Sequence, residues 1–410
     1  MTNLRVFIEA SVIVGVPLAM IGGVYLFGYP AWIRMGMFTE LVSDYYAGLL
    51  AAGAILLLIE LLPIPREHRR ALALLWLIRC GVALGFSFYF EANHSFDSVV
   101  YFLRGTFFDQ MPTQEIGGNE IIYGLVHLCT QIYPSYNLTK VIFSAIGLMA
   151  IYAHYAALRL FLGRDVLPIL YVIGIFPSVL FWTSMLSKEP LTLLGIGIYS
   201  FGVVGLYVKR EARYVAFVIL GVAIAMSVRT WLGMIFLAPL VGSYVLSART
   251  PLMTKLGFMI VAVPAFLFAL QSFSEQFAIE SAQDLVQTSD HLSQAWAHGN
   301  AAQQIQGGFT SLGSMVAFMP LGAFTALFRP LPGEVLNPLG MLAGIENSVA
   351  LWLWIMVFYR HGFRWLRDPL LLWAALLLLC WAAVYGFVSY QNLGTAFRFR
   401  VQVAIPLFLV

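Results

Sequence analysis

Apolar residues fall into runs of membrane-spanning length along nearly the whole chain, separated by short polar or basic stretches. A helix needs roughly 20 apolar residues to cross about 30 Å of hydrocarbon. On that measure the pattern predicts spans at 6–27, 46–62, 71–90, 139–162, 167–186, 190–207, 252–271, 345–360 and 369–388. The run 214–247 is too long for one perpendicular span and carries Arg229 at its middle, which predicts two short helices meeting near that residue. From Ser272 to Gln306 the chain is acidic and polar, and from Phe309 to Phe328 it is apolar again. Parity of crossing leaves that second stretch outside, so it predicts a re-entrant hairpin or an interfacial helix. The predicted fold class is all-α: a polytopic transmembrane helical protein of about 11–12 spans with re-entrant or interfacial helices in its external loops.

Basic residues in short loops favour the cytoplasm. Arg66, Arg69 and Arg70 share one such loop, Lys209, Arg210 and Arg213 a second, Arg249 and Lys255 a third, and Arg360, Arg364 and Arg367 a fourth. All four fall on one side, which places the N-terminus inside and the loops 91–138 and 272–344 outside. No linker, low-complexity tract or strong repeat separates a soluble part, so residues 1–410 read as a single transmembrane domain whose two external loops form its active face. The first run is longer than a signal h-region and lacks a small-x-small cleavage site, and reads as an uncleaved span. The last run, Val401 to Val410, would rise only about 15 Å as a helix, so the native chain is expected to continue beyond it.

Composition agrees with the pattern. The 410 residues are 60% hydrophobic and 10% charged, with 23 basic and 20 acidic side chains, too few to solvate a soluble surface. A net charge of +3, scattered along the chain, shows no basic stripe for nucleic acid. Cys80, Cys129 and Cys380 are far apart and suggest neither a disulfide framework nor a thiolate metal site. His291 and His298 would share a helix face but have no third ligand nearby. Asn93-His-Ser95 and Asn137-Leu-Thr139 match a glycosylation sequon and are assigned no role.

Charge near a span needs a partner, a wet cavity or a function. Under the predicted topology Asp97, Lys188, Glu189, Arg229, Glu334, Glu346, Arg398 and Arg400 all collect at the outer boundary. A carboxylate held there can take a proton from an acceptor hydroxyl beside a lipid-linked substrate, and Asp97 suits that role better than Glu91. With Ser95 as N-cap, Asp97 and Tyr101 would lie four apart on one helix face. In Phe176-Pro-Ser to Ser187-Lys-Glu-Pro190 one apolar helix ends and another begins, with Ser187 as the expected N-cap. A helix N-terminus beside Lys188 offers N–H groups and a cation to an anion. Arg229 requires an anion or water, which a phosphate or a pairing with Glu189 or Asp97 would supply equally. Arg398-Phe-Arg400 precedes the last apolar run, where snorkelling is the alternative for both arginines.

This order of features resembles the GT-C superfamily of polytopic glycosyltransferases, especially bacterial members of extracytoplasmic polysaccharide assembly. The resemblance rests on Asp97 with Tyr101 in the first long external loop, Phe176-Pro-Ser with Ser187-Lys-Glu, Arg229, and Arg398-Phe-Arg400. It departs from the family in having two additional spans before that loop and no soluble C-terminal domain. The resemblance implies an inverting sugar transferase in a bacterial inner membrane, facing the exterior, with a polyprenyl-phosphate-linked donor and a saccharide or lipid-linked acceptor. Asp97 would be the catalytic base, with Glu189 orienting a basic partner. Tyr101, Lys188, Arg229, Arg398 and Arg400 would bind substrate. The resemblance implies no certain cofactor and allows a divalent metal, which some relatives use, although no ligand cluster in the sequence argues for one. The same resemblance allows a polymerase acting on lipid-diphosphate oligosaccharides. A lipid or sugar transporter is the reading from a different class, and would need mid-membrane charges and related halves.

Overall fold

The computed structural model describes residues 22, 26, 28–93, 97–108, 118–246, 252–295, 297, 301–303 and 308–409. Most of the predicted first span, together with Ser95, Arg249 and His298, lies outside them. The described chain is helical, and its only β feature is an isolated bridge between Ala302 and Asn392. Among the described residues six helices are long and apolar enough to cross a membrane: Leu41–Leu61, Tyr136–Leu162, Glu189–Val208, Lys255–Phe277, Pro338–His361 and Pro369–Ser389. That is consistent with a multi-pass membrane protein.

The predicted span 6–27 lies mostly outside the described residues, and several of the other predicted spans are subdivided. The predicted span 167–186 is two short helices, Leu167–Ile175 and Pro177–Trp182, rather than one. The cause is local: Pro177 disfavours the helical region for the residue before it, and Phe176 takes φ −56°, ψ 120°. The run 214–247 splits as predicted, into Arg213–Val228 and Leu232–Leu246, with Arg229 extended between them at φ −144°, ψ 101°. The run 71–90 begins earlier, as Arg66–Gly81, and continues through a π-helical turn, Val82–Phe86, into Ser87–Asn93. The apolar stretch after Phe309 is a helix, Leu312–Phe328, opened by a reciprocal cap between Ser311 and Ser314.

The chain divides into two compact units, the first drawn from Met1–Glu115, Asn119–Leu148 and Thr183–Ser187, the second from Ile116–Gly118, Met149–Trp182 and Lys188–Val410. In the first unit the helix Leu41–Leu61 packs on Arg66–Gly81, where the Trp76 indole donates to Ala52 O at 2.9 Å. Asp44 accepts from the backbone N–H groups of Tyr136 and Asn137 at 2.8 and 2.9 Å, so a side chain from one helix caps the N-terminus of Tyr136–Leu162. The helix Asp97–Thr106 crosses Glu120–Ile132 at Gly105, where a Cβ would come within 2.5 Å of Val126.

The second unit is built around Glu189–Val208 and Arg213–Val228, which touch backbone to backbone. A Cβ on Gly221 would meet Tyr199 N at 2.3 Å, and only glycine permits that approach. Tyr199 stacks on Phe236 with ring centroids 4.8 Å apart. Its hydroxyl donates to Phe236 O at 2.7 Å and accepts from the Trp373 indole at 3.0 Å. Helix association in a bilayer has no hydrophobic term to draw on, so close packing and such buried bonds hold the unit together.

Candidate functional site

The second unit concentrates the charged residues singled out from the sequence. Between Trp182 and Glu189 the chain leaves the helical path, and Glu189–Val208 starts with Lys188 at its N-cap, Glu189 in the first turn and Pro190 behind it. The expected Ser187 cap is therefore displaced by one residue, and no side chain caps this N-terminus. Pro190 explains the start, since its fixed φ suits a first turn and it has no N–H to satisfy.

Glu189, itself buried, gathers two arginines. Arg398 grips the carboxylate with both ends of its fork, Nε to Oε1 at 2.9 Å and Nη2 to Oε2 at 3.1 Å. Arg229 adds a single bond, Nη2 to Oε1 at 3.1 Å. The Arg229 side chain is 5% exposed, and its Nη1 has no hydrogen-bond partner. Each guanidinium also lies over an aromatic ring, Arg229 over Phe399 at 4.6 Å and Arg398 over Trp182 at 5.1 Å. Among these three side chains two cations meet one anion, beside the positive pole of a 20-residue helix. Such a centre favours an anion, and a guanidinium with a free edge favours an oxyanion such as phosphate.

The other sequence candidates are placed differently. Arg400 has its donors on protein acceptors: Nε on Ala326 O at 2.8 Å, Nη1 on Asn347 Oδ1, and Nη2 on the carbonyls of Thr325 and Arg329. Glu346 accepts from Ser178 N at 3.0 Å and Ser178 Oγ at 2.5 Å, which makes Phe176-Pro-Ser a helix start held from a distant helix. Glu334 pairs with Arg329 at 2.6 Å. Burial raises the Glu334 pKa, but bonds from Arg329 and Leu331 N outweigh it and leave the carboxyl below its ordinary value.

Asp97 and Tyr101 belong to the first unit. Asp97 is exposed at the first residue of Asp97–Thr106, and Tyr101 is buried with its ring 5.9 Å from that of Tyr123. The same unit holds charges that sequence reasoning passed over or ranked low. Lys140 and Glu91 form an ion pair at 2.8 Å with both side chains fully buried, and the ammonium lies over the rings of Tyr136 and Phe88. Arg79 is fully buried and bonds to Ser144 O at 3.2 Å and to the carbonyl and hydroxyl of Thr183. The signal for Arg79 was available: a cation in the middle of an apolar run requires a partner. Its partners, neutral oxygens from two other segments, were not.

Among the described residues no group of three or more His, Cys, Asp or Glu side chains could hold a metal ion. The divalent metal allowed by the resemblance therefore has no such donor set among the described residues. No protein-family model, curated protein or solved structure matches the chain.

Proposed function

We propose that this protein is a membrane glycosyltransferase of GT-C type, moving a sugar from a polyprenyl-phosphate-linked donor to a saccharide or lipid-linked acceptor on the extracytoplasmic face of a bacterial inner membrane. The observation that supports it is the meeting of two cations on one buried anion at Glu189, Arg229 and Arg398, with Arg229 Nη1 making no hydrogen bond of its own. Arg229, together with Lys188, which precedes Glu189 in the chain, would meet the lipid phosphate, and Arg398 would hold Glu189 in place. The acceptor oxygen attacks the anomeric carbon while the bond from that carbon to the phosphate oxygen breaks, inverting the configuration. A carboxylate takes the acceptor proton as general base, the role that the sequence resemblance gives to Asp97. The electron pair of the broken bond leaves on the lipid phosphate, where the guanidinium stabilises the added charge.

The test uses purified protein in lipid nanodiscs with three probes: a polyprenyl monophosphate, a polyprenyl diphosphate and a neutral polyprenol. Saturable binding of the monophosphate, lost in Arg229→Ala, is the expected result. Preference for the diphosphate would move the assignment to a polymerase on lipid-diphosphate oligosaccharides. Equal retention of the neutral polyprenol would remove the anion site altogether. A membrane-impermeant thiol probe on Ser281→Cys, at an exposed position, checks the side: labelling only after permeabilisation contradicts the orientation.

A further inference from the structure

Arg398 and Arg400 are two positions apart on one helix, Leu393–Leu409, so their side chains leave its axis about 200° apart. Arg398 takes Glu189 with a two-point grip. Arg400, 4% exposed, reaches the opposite way and ends among the carbonyls of Thr325, Ala326 and Arg329 at the C-terminal end of Leu312–Phe328, a helix that closes at Phe328. Thr325 O already accepts from Arg329 N at 3.2 Å, whereas Ala326 O faces Pro330, which has no N–H to offer it, and a cation there also complements the helix dipole. The last acceptor, Asn347 Oδ1, is itself fixed, since Asn347 Nδ2 donates to Pro330 O at 2.7 Å. Next to it Glu346 holds Ser178.

We infer that Arg400 is a positioning residue that sets the rotation of the Leu393–Leu409 helix about its axis, and so delivers Arg398 to Glu189 and keeps Arg229 poised for an anion. This rests on the anion site proposed above. The chain of contacts is continuous within the second unit: Arg400 fixes the helix, Arg398 holds both oxygens of Glu189, and Glu189 Oε1 holds Arg229 Nη2. The lever is sensitive. A side-chain tip about 6 Å from a helix axis moves about 2 Å when the helix turns by about 20°, which is enough to break a two-point hydrogen-bonded grip. The role differs from the substrate contact implied by the sequence resemblance, because the Arg400 guanidinium is taken up by protein oxygens.

The experiment uses the full chain in nanodiscs and a polyprenyl monophosphate as probe, reading Kd and Tm for Arg400→Lys, Asn347→Ala, Arg229→Ala and the Arg400→Lys/Arg229→Ala double variant. Lysine keeps the charge but loses the fork. Well below its Tm, Arg400→Lys is expected to raise Kd about tenfold, and the double variant to bind no worse than Arg229→Ala, because both act through one site. A purely structural role would lower Tm and leave Kd unchanged. Unchanged affinity in Arg400→Lys beside weakened affinity in Arg229→Ala overturns the positioning role alone. Unchanged affinity in both overturns the anion site and this role with it. Should Arg400→Lys fail to fold, Asn347→Ala decides in the same way, with a rise of about threefold expected and no rise overturning the inference.

Discussion

Glu91 with Lys140 in the first unit, and Glu189 with Arg229 and Arg398 in the second, are both sets of ionised side chains withdrawn from water, and they balance their charge differently. The first set is one acid on one base at 2.8 Å, neutral as a pair, with the ammonium also covered by aromatic faces. The second puts two bases on one acid, with Arg229 also facing the Tyr385 hydroxyl. A balanced pair carries no net charge for a ligand to neutralise, although Glu91 Oε1, like Arg229 Nη1, makes no hydrogen bond of its own. An unbalanced cluster is stabilised by a further negative charge. The contrast separates two kinds of buried charge, a paired set and a cluster of two cations on one anion, that composition alone cannot tell apart.

If the first unit contributes chemistry through its exposed acid, and not through its balanced pair, Asp97→Asn carries the largest effect. Turnover is expected to fall about 10²–10⁴-fold while affinity for the lipid donor holds, measured by sugar transfer and by equilibrium binding on the same preparation. Transfer at the wild-type rate would take the base role from Asp97.

The balanced pair makes the second test. Glu91→Gln strands a buried ammonium and is expected to cost about 3–5 kcal/mol of stability, whereas Glu91→Leu combined with Lys140→Met removes both charges and should restore most of it. Thermal unfolding of both variants reads the difference. Equal loss in the two would mean the pair does more than neutralise itself.

Arg229→Ala should behave in the opposite way. Glu189 keeps Arg398, so Tm changes little, while binding of a polyprenyl monophosphate weakens by roughly 10–100-fold, the worth of about 1.5–3 kcal/mol for a charged hydrogen bond. A large fall in Tm with unchanged affinity would make this cluster scaffold like the other.

The smallest effect concerns a charge outside both sets. Glu40 accepts from Ser43 N and Val42 N at the start of Leu41–Leu61, and those backbone bonds, led by that of Ser43, hold its pKa below the ordinary glutamate value. A lowered folded pKa stabilises fully above the unfolded value and ceases to do so as pH falls through the folded one. Glu40→Ala should therefore lower Tm slightly at neutral pH, and the gap from wild type should close below the ordinary glutamate range. A gap that persists in acid would assign the effect to something other than the ionised cap.

The hydrophobic pattern alone determined that the chain is helical and membrane-like, that 214–247 breaks at Arg229, and that Glu189, Arg229 and Arg398 each need a partner, because an apolar run of bilayer length tolerates neither a strand edge nor an unaccompanied charge. It also offered Glu189 as a partner for Arg229, though no more strongly than a phosphate. Which partner each charge takes was decided only in three dimensions. Arg398 lies 209 residues from the carboxylate it grips, Glu346 lies 168 residues from the serine it holds, and Arg79 finds Thr183 across 104 residues. Periodicity reports on one helix at a time and carries no information about such pairings. The break at Phe176 illustrates the division. Pro177 made it a local event that the sequence could have revealed, yet the apolar run around it concealed the break, and the Glu346 carboxylate that steadies the new helix start comes from a segment that only tertiary packing brings there.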